Sequence, residues 1–422
     1  MDKILVRGGR ILAGEVVVSG SKNAALPILV SSLLTSEPCV YQGMPDLKDI
    51  HTILRLLSKL GVKVEGEGRM GGPGQLTLQA NQVTSLEATY DLVKTMRASF
   101  LVLAPLLARF GEARVSTPGG CAIGARPVNF HLRGLAEMGA KIELVHGYVE
   151  AKAKRLQGAK IYLDLPSVGA TENLMMAASL ADGTTVIENA AKEPEVVDLA
   201  TVLGKMGAKI WGAGSDVVKI DGVNSLHGLS HHVISDRIEA GSFIVAAALA
   251  GGDIMVRGAR PDHLEAFLVK LKEANVALRI DREGVRIKGD GAMKSVGVTT
   301  LPYPGFPTDL QAQMMVLVSV SDGVSVITET IFENRFLHAQ ELDRMGADIH
   351  LEGNRAIVRG VKGLSGAPVM ATDLRASVSL VLAGLVANGQ TEISRVYHLD
   401  RGYEHIERKL SNLGADIERV RG

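Results

Sequence analysis

The chain has 422 residues, of which 46% are hydrophobic and 22% charged, and its 46 Lys and Arg residues balance its 46 Asp and Glu residues. This length predicts two or more domains, and the zero net charge argues against a nucleic acid as the main partner. The longest apolar runs fall short of the roughly 18 residues that a membrane span needs, and no signal-peptide core follows Met1. With only two cysteines, we expect no disulfide framework and a cytoplasmic protein without membrane insertion.

The predicted elements repeat along the chain with a period of about 70 residues. Each copy contains a helical segment that ends in Leu or Met, then a glycine, a small residue and a short strand. Glycine directly after a helix is typical of a C-terminal cap in the left-handed conformation. Five clear copies lie at 60–64, 138–142, 206–210, 345–349 and 413–417, with a degenerate copy at 274–276.

A second helix, rich in alanine and apolar on all sides, precedes these segments, as at 172–181 and 377–388. Each unit therefore reads strand, buried helix, strand, amphipathic helix and further strands, which predicts an α/β fold. The fully apolar helix should be enclosed, and the amphipathic helix should lie outside. Six units divide most simply into three and three, with a boundary near Ser235. We expect one domain over residues 22–234 and a second formed by 1–21 and 235–422.

The buried helices begin with polar residues, among them Lys22, Arg97, Asp309 and Arg375. Free N–H groups and the positive end of the helix dipole make such a start a natural anion site, and cations strengthen it. Capping by Ser, Thr and Asp explains most of the polar residues as well. Because capping does not explain why long cations recur there, we favour a convergent anion site.

The connection between the second strand and the amphipathic helix is long in the second unit, from 116 to 128, but short in the third and fourth. Cys121 lies in this connection, within a glycine-lined stretch and five residues before Arg126. Long loops in compact domains tend to carry function, and a nearby cation tunes the proton affinity of a thiol. We therefore expect Cys121 to take part in chemistry, whereas Cys39 is interpreted as a buried strand residue.

Six short motifs resemble, in order, the signatures of the enolpyruvyl transferase family, and specifically of its members that use UDP-N-acetylglucosamine as acceptor. They lie at 20–25, 119–127, 305–309, 332–336, 373–376 and 400–404 and so span nearly the whole chain. The resemblance implies two inside-out, barrel-like α/β domains, each of three βαβαββ repeats, with the active site in the cleft between them. It also implies that enolpyruvate passes from phosphoenolpyruvate to the 3′-hydroxyl of UDP-N-acetylglucosamine with release of phosphate, without a metal or organic cofactor.

By matching motif positions, the resemblance implies an acid and a base. Cys121 would protonate C3 of phosphoenolpyruvate as the general acid, and Asp309 would face the 3′-hydroxyl of the sugar as the base. Asp373 is a competing candidate for the base. Thr308 and Asp309 also suit the N-cap of a helix that begins at Leu310, and both roles can hold together.

The same matching implies two sets of binding residues. The residues that hold the phosphate and carboxylate of phosphoenolpyruvate, or order that part of the site, are Lys22, Asn23, Arg97, Arg126 and Arg401. Lys22 and Arg401 would also act in catalysis. The residues that complete the substrate site are Pro127, Val128, Asn129, Phe130, Ser167, Val168, Gly169, Ile331, Asp373 and Arg375. One departure is visible: Asn129-Phe130 stands where the family commonly has Asp-Leu, so a nucleotide contact there cannot use a carboxylate.

The implied reaction is the first committed step of peptidoglycan synthesis. It therefore bears on cell wall biogenesis, cell shape and cell division, and it makes the protein a target for fosfomycin. Two other functions are alternatives. The sister transferase that acts on shikimate 3-phosphate has the same fold but lacks the cysteine loop. A non-catalytic sensor of sugar nucleotides needs no acid and base, so the presence of Cys121 and Asp309 argues against it.

Overall fold

The computed structural model describes residues 2–66, 75–118, 128–289 and 293–421. The described residues fall into two compact units. The insert unit takes the described residues between 20 and 234, and the host unit takes 2–19 together with those between 235 and 421.

The described residues contain 24 β-strands. In chain order these are β1 (Lys3–Arg7), β2 (Leu12–Val17), β3 (Cys39–Gln42), β4 (Lys63–Gly66), β5 (Leu76–Gln79), β6 (Glu87–Ala88), β7 (Glu112–Ser116), β8 (Lys141–Val145), β9 (Tyr148–Lys152), β10 (Lys160–Tyr162), β11 (Thr184–Glu188), β12 (Lys209–Trp211), β13 (Val217–Asp221), β14 (Leu229–His232), β15 (Gly252–Arg257), β16 (Ala277–Ile280), β17 (Gly284–Gly289), β18 (Val298–Thr299), β19 (Val324–Thr328), β20 (Asp348–Glu352), β21 (Arg355–Arg359), β22 (Pro368–Met370), β23 (Gln390–Ser394) and β24 (Asp416–Val420).

The same ranges contain 13 α-helices and five 3₁₀-helices. The α-helices are α1 (Lys22–Ser31), α2 (Lys48–Leu60), α3 (Tyr90–Val93), α4 (Leu103–Phe110), α5 (Asn129–Glu137), α6 (Val168–Ala178), α7 (Pro194–Lys205), α8 (Arg237–Ala250), α9 (Glu265–Glu273), α10 (Gln311–Ser319), α11 (Ala339–Arg344), α12 (Leu374–Val386) and α13 (Ile406–Asn412). The 3₁₀-helices are Ser32–Leu34, Arg97–Val102, Pro261–His263, Thr308–Leu310 and Val396–Arg401.

The strands form six four-stranded sheets with one common pattern, in which a parallel pair is followed by two antiparallel neighbours. In the third repeat, for example, Ile187 of β11 pairs with Val218 of β13, and both side chains are fully buried. The insert unit contains the sheets β14-β3-β5-β4, β6-β7-β9-β8 and β10-β11-β13-β12. The host unit contains β2-β15-β17-β16, β18-β19-β21-β20 and β22-β23-β1-β24.

The sheets of each unit enclose its apolar helices, so the inside-out α/β architecture predicted from the sequence is confirmed. In the host unit α8, α10 and α12 pack against one another, and in the insert unit α6 packs against α1 and α4. Helix α8 is buried on every side from Ile238 to Leu249, as expected for a segment whose residues are apolar except Glu239 and Ser242. By contrast α2 buries only one face, which carries Ile50, Ile53 and Leu57.

The amphipathic helices end as the repeat predicted. The glycine that follows the helix takes a left-handed backbone in all five clear copies, where any other residue except Asn or Asp is disfavoured. The φ angles are 100° at Gly61, 88° at Gly139, 102° at Gly207, 90° at Gly346 and 103° at Gly414. In the degenerate copy Asn275 takes this conformation with a φ of 64°, which explains why that copy lacks the glycine.

Each unit completes its sheets with strands from a different part of the chain. β2 precedes α1 in sequence but pairs with β15, and β14 precedes α8 but pairs with β3. β1 lies between β23 and β24, which include residues 390–394 and 416–420 and so lie far along the chain from it. In the part of the chain described here, no helix has both the length and the apolar character to cross a membrane.

Candidate active site

Asp309 lies in the 3₁₀-helix that leads into α10, and two buried arginines hold its carboxylate. Arg335 Nη2 donates to Oδ1 at 2.7 Å, and Arg375 Nη2 donates to Oδ2 at 2.9 Å. The arginine side chains are each 3% exposed, whereas the Asp309 side chain is 26% exposed. The N-caps of the 3₁₀-helix and of α10 are Pro307 and Leu310, so the expectation that Asp309 is the N-cap of this helix is wrong.

A buried polar network fixes Arg375 behind Asp309. Arg375 Nη1 donates to the Tyr403 hydroxyl at 3.4 Å, and that hydroxyl also lies 2.8 Å from Ser242 Oγ. Gln313 Nε2 donates both to the Tyr403 hydroxyl at 3.3 Å and to the main-chain oxygen of Asp309 at 3.0 Å. Burial alone lowers the pKa of Arg375, but the charges of Asp309, Tyr403 and Asp236 and the hydrogen bond to Asp309 together outweigh it and raise that pKa above its ordinary value. The cation is therefore permanent, and it is aimed at the Asp309 carboxylate.

Asp373 has the capping role that Asp309 lacks. Its carboxylate accepts hydrogen bonds from the main-chain N–H of Arg375 at 2.8 Å and of Ala376 at 3.1 Å at the start of α12. Burial lowers the pKa of two histidines, His338 and His398, to about 4 for His338. The charge of Asp373 raises both pKa values, but burial outweighs this effect. Asp373 and Arg375 therefore begin one helix, but only Arg375 contacts Asp309.

Arg401 is the last residue of the 3₁₀-helix Val396–Arg401. Burial is the main cause of the lowered pKa of His398, and the positive charge of Arg401 lowers it further. The carboxylate of the preceding residue, Asp400, accepts hydrogen bonds from both terminal nitrogens of Arg419, with Nη1 3.1 Å from Oδ2. Ile331, from another loop of the host unit, donates its main-chain N–H to Glu329 at 2.8 Å. The structure thus brings Asp309 and Arg375 into direct contact and leaves Ile331 and Arg401 on separate, well-anchored segments.

In the insert unit, the start of α1 carries the next candidates. Ser21 caps the helix by accepting from Ala24 N, and Lys22 Nζ lies 3.6 Å from Asp49 Oδ2. Asn23 follows in the first turn. Gly20 is required just before the cap, because a Cβ there would lie 1.9 Å from the main-chain oxygen of Gly43.

The remaining candidates of the insert unit surround His131, a residue that the sequence analysis missed. A Cβ on Gly169 would lie 3.4 Å from His131 Cε1, so the imidazole supports the start of α6, where Ser167 is the cap. Asn173 Nδ2 lies 2.9 Å from His131 Nδ1. Burial, helped by the charge of Arg97, lowers the pKa of His131 to about 3, so this imidazole stays neutral. Val128, Asn129 and Phe130 begin α5, which packs against α6 and bears His131.

The convergent anion site at the helix starts stays a prediction. Side-chain caps are present on α1, α6, α8 and α12, at Ser21, Ser167, Asp236 and Asp373. Two of the recurring cations have carboxylate partners in the protein, Asp49 for Lys22 and Asp309 for Arg375. Cys121, Arg126 and Pro127 lie outside the described residues. Within the described ranges, no group of three or more His, Cys, Asp or Glu side chains has the geometry to hold a metal ion.

Sequence reasoning also left Arg335, Tyr403 and Glu329 out of the candidate site. Arg335 and Tyr403 lie inside two of the motifs that carried the family resemblance, at 332–336 and 400–404. Their place in these motifs could have identified them as site residues. No spacing rule predicts that Arg335, 26 residues after Asp309, binds the opposite carboxylate oxygen from Arg375. The site depends on contacts between loops that are far apart in the sequence, and no local sequence pattern predicts these contacts.

Comparison with known proteins agrees with this architecture. The model of the EPSP synthase (3-phosphoshikimate 1-carboxyvinyltransferase) family matches residues 6–410. Among solved structures, the enolpyruvyl transferase NikO from Streptomyces tendae superposes with a TM-score of 0.88 at 26% identity, covering 99% of both chains. EPSP synthase from Acinetobacter baumannii has a TM-score of 0.79 at 19% identity over 100% of both chains, which supports the fold.

Curated relatives are much closer in sequence. The UDP-N-acetylglucosamine 1-carboxyvinyltransferases of Geotalea daltonii and Geotalea uraniireducens are 59% and 60% identical to this chain over 420 residues, and the matches cover 100% of each protein. The corresponding protein of Geobacter metallireducens is 58% identical over 422 residues, again over the full length. The chain therefore belongs to the UDP-N-acetylglucosamine 1-carboxyvinyltransferase family of enolpyruvyl transferases.

Proposed function

We propose that this transferase moves the enolpyruvyl group of phosphoenolpyruvate to the 3′-hydroxyl of UDP-N-acetylglucosamine and releases phosphate. The observation that carries the proposal is the full-length identity of 56% to 60% with five relatives of that name. We further propose that it acts in the cytoplasm, at the first committed step of peptidoglycan synthesis. Its loss would then disturb cell wall biogenesis, cell shape and cell division.

In the proposed reaction, Cys121 donates a proton to C3 of phosphoenolpyruvate, and cationic character develops at C2. The 3′-oxygen of the sugar attacks C2 while Asp309 takes the hydroxyl proton. The Cys121 thiolate then takes a proton back from C3 as the C2–O bond to phosphate breaks, which restores the double bond and gives the enol ether. Asp309 passes its proton to the released phosphate, so both groups return to their starting states. Each step needs one proton donor or acceptor and no change of oxidation state, which suits a thiol and a carboxylate.

The surroundings of Asp309 support the role of a base. Arg335 and Arg375 hold the two carboxylate oxygens in a fixed orientation, and the network around Tyr403 fixes Arg375 in turn. A base must point at the proton that it removes, and its exposed fraction of 26% leaves room for a substrate hydroxyl. Asp373 uses its carboxylate to cap α12, so we assign the base to Asp309.

The binding groups are assigned by their charge. Lys22, Arg126 and Arg401 would neutralise the phosphate and carboxylate of phosphoenolpyruvate, with Asn23 and Arg97 beside them. The distance of 3.6 Å between Lys22 Nζ and Asp49 Oδ2 is longer than a charge-assisted hydrogen bond, so an added phosphate oxygen need not displace a tight pair. Arg126 favours the thiolate of Cys121, and we propose that the bound anion offsets this and keeps the thiol protonated.

The UDP-sugar would lie against the starts of two helices of the insert unit. Val128, Asn129 and Phe130 offer main-chain N–H groups at α5, and Ser167, Val168 and Gly169 offer them at α6. Helix starts attract phosphates through such groups, so the Asn129 departure from the family pattern leaves this mode of binding intact. Pro127, Ile331, Asp373 and Arg375 complete the proposed set.

Phosphate release tests the proposal directly. We expect inorganic phosphate from phosphoenolpyruvate and UDP-N-acetylglucosamine together, and none from either alone. Shikimate 3-phosphate in place of the sugar nucleotide distinguishes the sister activity. Binding of UDP-N-acetylglucosamine without any phosphate release would identify a sensor and contradict the proposal.

A further inference from the structure

Glu329 is a buried carboxylate that the proposed reaction does not use. It follows β19 directly, and the residue is 3% exposed. Its Oε1 accepts from Thr300 Oγ1 at 2.8 Å, from Ile331 N at 2.8 Å and from Phe332 N at 3.3 Å. Its Oε2 accepts from Thr308 Oγ1 at 2.9 Å. A buried carboxylate is costly without such donors, and four of them converge here.

In four of the other five repeats, a left-handed main chain makes the turn at this position. The residue that follows the second strand of the repeat takes a left-handed backbone in four repeats, with φ of 69° at Gly43, 56° at Asn189, 80° at Gly258 and 57° at Arg395. That conformation turns the chain by itself. At Glu329 the turn is made instead by the carboxylate, which binds the N–H groups two and three residues ahead. The fifth repeat therefore departs from the scaffold at this residue.

The departure joins two segments of the candidate site. Thr308, bound by Oε2, is the neighbour of Asp309, and Ile331, bound by Oε1, is one of the proposed sugar-nucleotide contacts. Thr300 closes the same network, because its hydroxyl oxygen also accepts from Thr330 N at 2.9 Å. One charge thus ties the loop of the base to the loop of the substrate contact.

We propose that Glu329 is a positioning residue for the transfer reaction. It holds Asp309 through Thr308 and holds the Ile331 main chain directly, so the base and the acceptor sugar keep a fixed relation. The inference rests on the proposed function, since Asp309 must be the base for its position to matter. Hydrogen bonds on both carboxylate oxygens make the coupling stiff, and a misplacement of about 1 Å costs roughly 100-fold in rate.

The first test removes the hydrogen bond from the Thr308 hydroxyl to Glu329. Thr308→Val keeps the shape and loses the hydroxyl, and we expect kcat to fall at least about tenfold, with recovery to within about threefold in Thr308→Ser. Ser325→Ala is the control, since the buried Ser325 lies in β19, before Glu329, and its Oγ accepts a hydrogen bond from Val296 N at 3.0 Å instead of from the Asp309 loop. It should lower the melting temperature and leave kcat unchanged. Full kcat in Thr308→Val, or an equal loss in Ser325→Ala, would overturn the proposal.

The second test asks whether Glu329 acts through Asp309. We expect Glu329→Ala to lower kcat about 100-fold and to raise KM for UDP-N-acetylglucosamine more than KM for phosphoenolpyruvate. In an Asp309→Asn background the further loss of kcat should be under about threefold, because residues that act as one unit are not additive. Equal losses in both backgrounds would reveal a merely structural role. If Glu329→Ala does not fold, Glu329→Gln enters the same cycle, since its amide keeps the acceptor and loses the charge.

The two proposals fail in distinguishable ways. A wild-type protein that releases no phosphate from the two substrates contradicts the proposed function. An active wild type with additive Glu329 and Asp309 effects contradicts only the positioning role.

Discussion

At the scale of single residues, Asp309 and Asp373 both lie at helix starts of the host unit, but their carboxylates do different work. Asp309 is held by two guanidinium groups, and Asp373 is held by two main-chain N–H groups. The sequence suggested a cap at both places, since both follow the pattern of an acidic residue before an apolar helix. The contacts that separate them come from Arg335 and Arg375, which no local pattern connects to Asp309.

The difference predicts unequal effects of the same substitution. Asp309→Asn should lower kcat by roughly 10²–10⁴, the usual scale for a lost general acid or base. Asp373→Asn should lower it less than about tenfold, because asparagine caps a helix about as well as aspartate. Circular dichroism at the assay temperature checks that both variants are folded. The reverse order of the two losses would move the base to Asp373.

The two cysteines are also expected to differ, in the reactivity of their thiols. Cys39 lies in β3 with no exposed surface, and burial raises its pKa to about 11. At pH 7.5 its thiolate fraction is roughly 300-fold below that of a thiol with the ordinary pKa near 8.5. The burial of Cys39, interpreted from the sequence as a strand residue, is confirmed. The role of Cys121 stays a prediction.

We therefore expect iodoacetamide and fosfomycin each to modify one cysteine per folded chain. Peptide mapping by mass spectrometry should locate the adduct on Cys121, and Cys39 should react only after unfolding. Cys39→Ala should leave the labelling unchanged, and Cys121→Ser should abolish it. Modification of Cys39 in the folded protein at a rate similar to that of Cys121 would contradict this assignment.

At the scale of elements, the repeat shows where helix and sheet pack most closely. The strand that lies third in the sheet order is followed by glycine in three sheets, after β1, β13 and β21. At each of these glycines, a main-chain oxygen just beyond the buried helix approaches closely. A Cβ would lie 2.2 Å from Ala387 O at Gly8, 1.9 Å from Ala181 O at Gly222 and 1.6 Å from Ser321 O at Gly360. No backbone oxygen tolerates a carbon at that distance, so the small residue is required by packing.

Substitution in the third repeat tests this requirement. Gly222→Ala should destabilise the protein by about 1–3 kcal/mol, the usual cost of overpacking. Gly204→Ala, in α7 with no neighbouring atom within 4 Å of the added carbon, should instead stabilise it by up to about 1 kcal/mol through helix propensity. Urea titration followed by circular dichroism measures both. Equal urea midpoints for the two variants would show that the main chain after α6 moves to accommodate the carbon added at Gly222.

The elements were largely predictable, and their partners were not. Apolar periodicity separated enclosed from exposed helices, and the glycine caps marked helix ends, because both depend on neighbours within a few residues. The pairing of β2 with β15 and of β14 with β3 could not be predicted. Each of these strands is adjacent in sequence to a helix of the other unit, and local order does not say which sheet a strand joins.

At the scale of the whole molecule, the two units have different connectivity. All three sheets of the insert unit are made from residues between 20 and 234, including the strand β14 that completes the first of them. The host unit needs two segments, because β1 and β2 supply strands to two of its sheets. A unit with its own core and no missing strand is expected to fold alone.

We expect a fragment of residues 20–234 to unfold cooperatively on heating, with the circular dichroism spectrum of an α/β protein. A fragment of residues 235–422 should lack this behaviour, since the edges of β15, β23 and β24 would be left unpaired. Adding a synthetic peptide of residues 1–19 should restore cooperative unfolding. A 235–422 fragment that is equally stable with and without the peptide would contradict the importance of these strands.

The pairing of β1 with β23 and β24 has a consequence for biosynthesis. A ribosome makes residues 3–7 long before residues 390–394 and 416–420, so β1 has to wait until the insert unit and most of the host unit have been made before its neighbours exist. The insert unit emerges in the meantime as an uninterrupted stretch and can fold while synthesis continues. The nascent chain would thus carry a folded insert unit while β1 is still unpaired, and the host unit would complete its sheets only after the insert unit has folded.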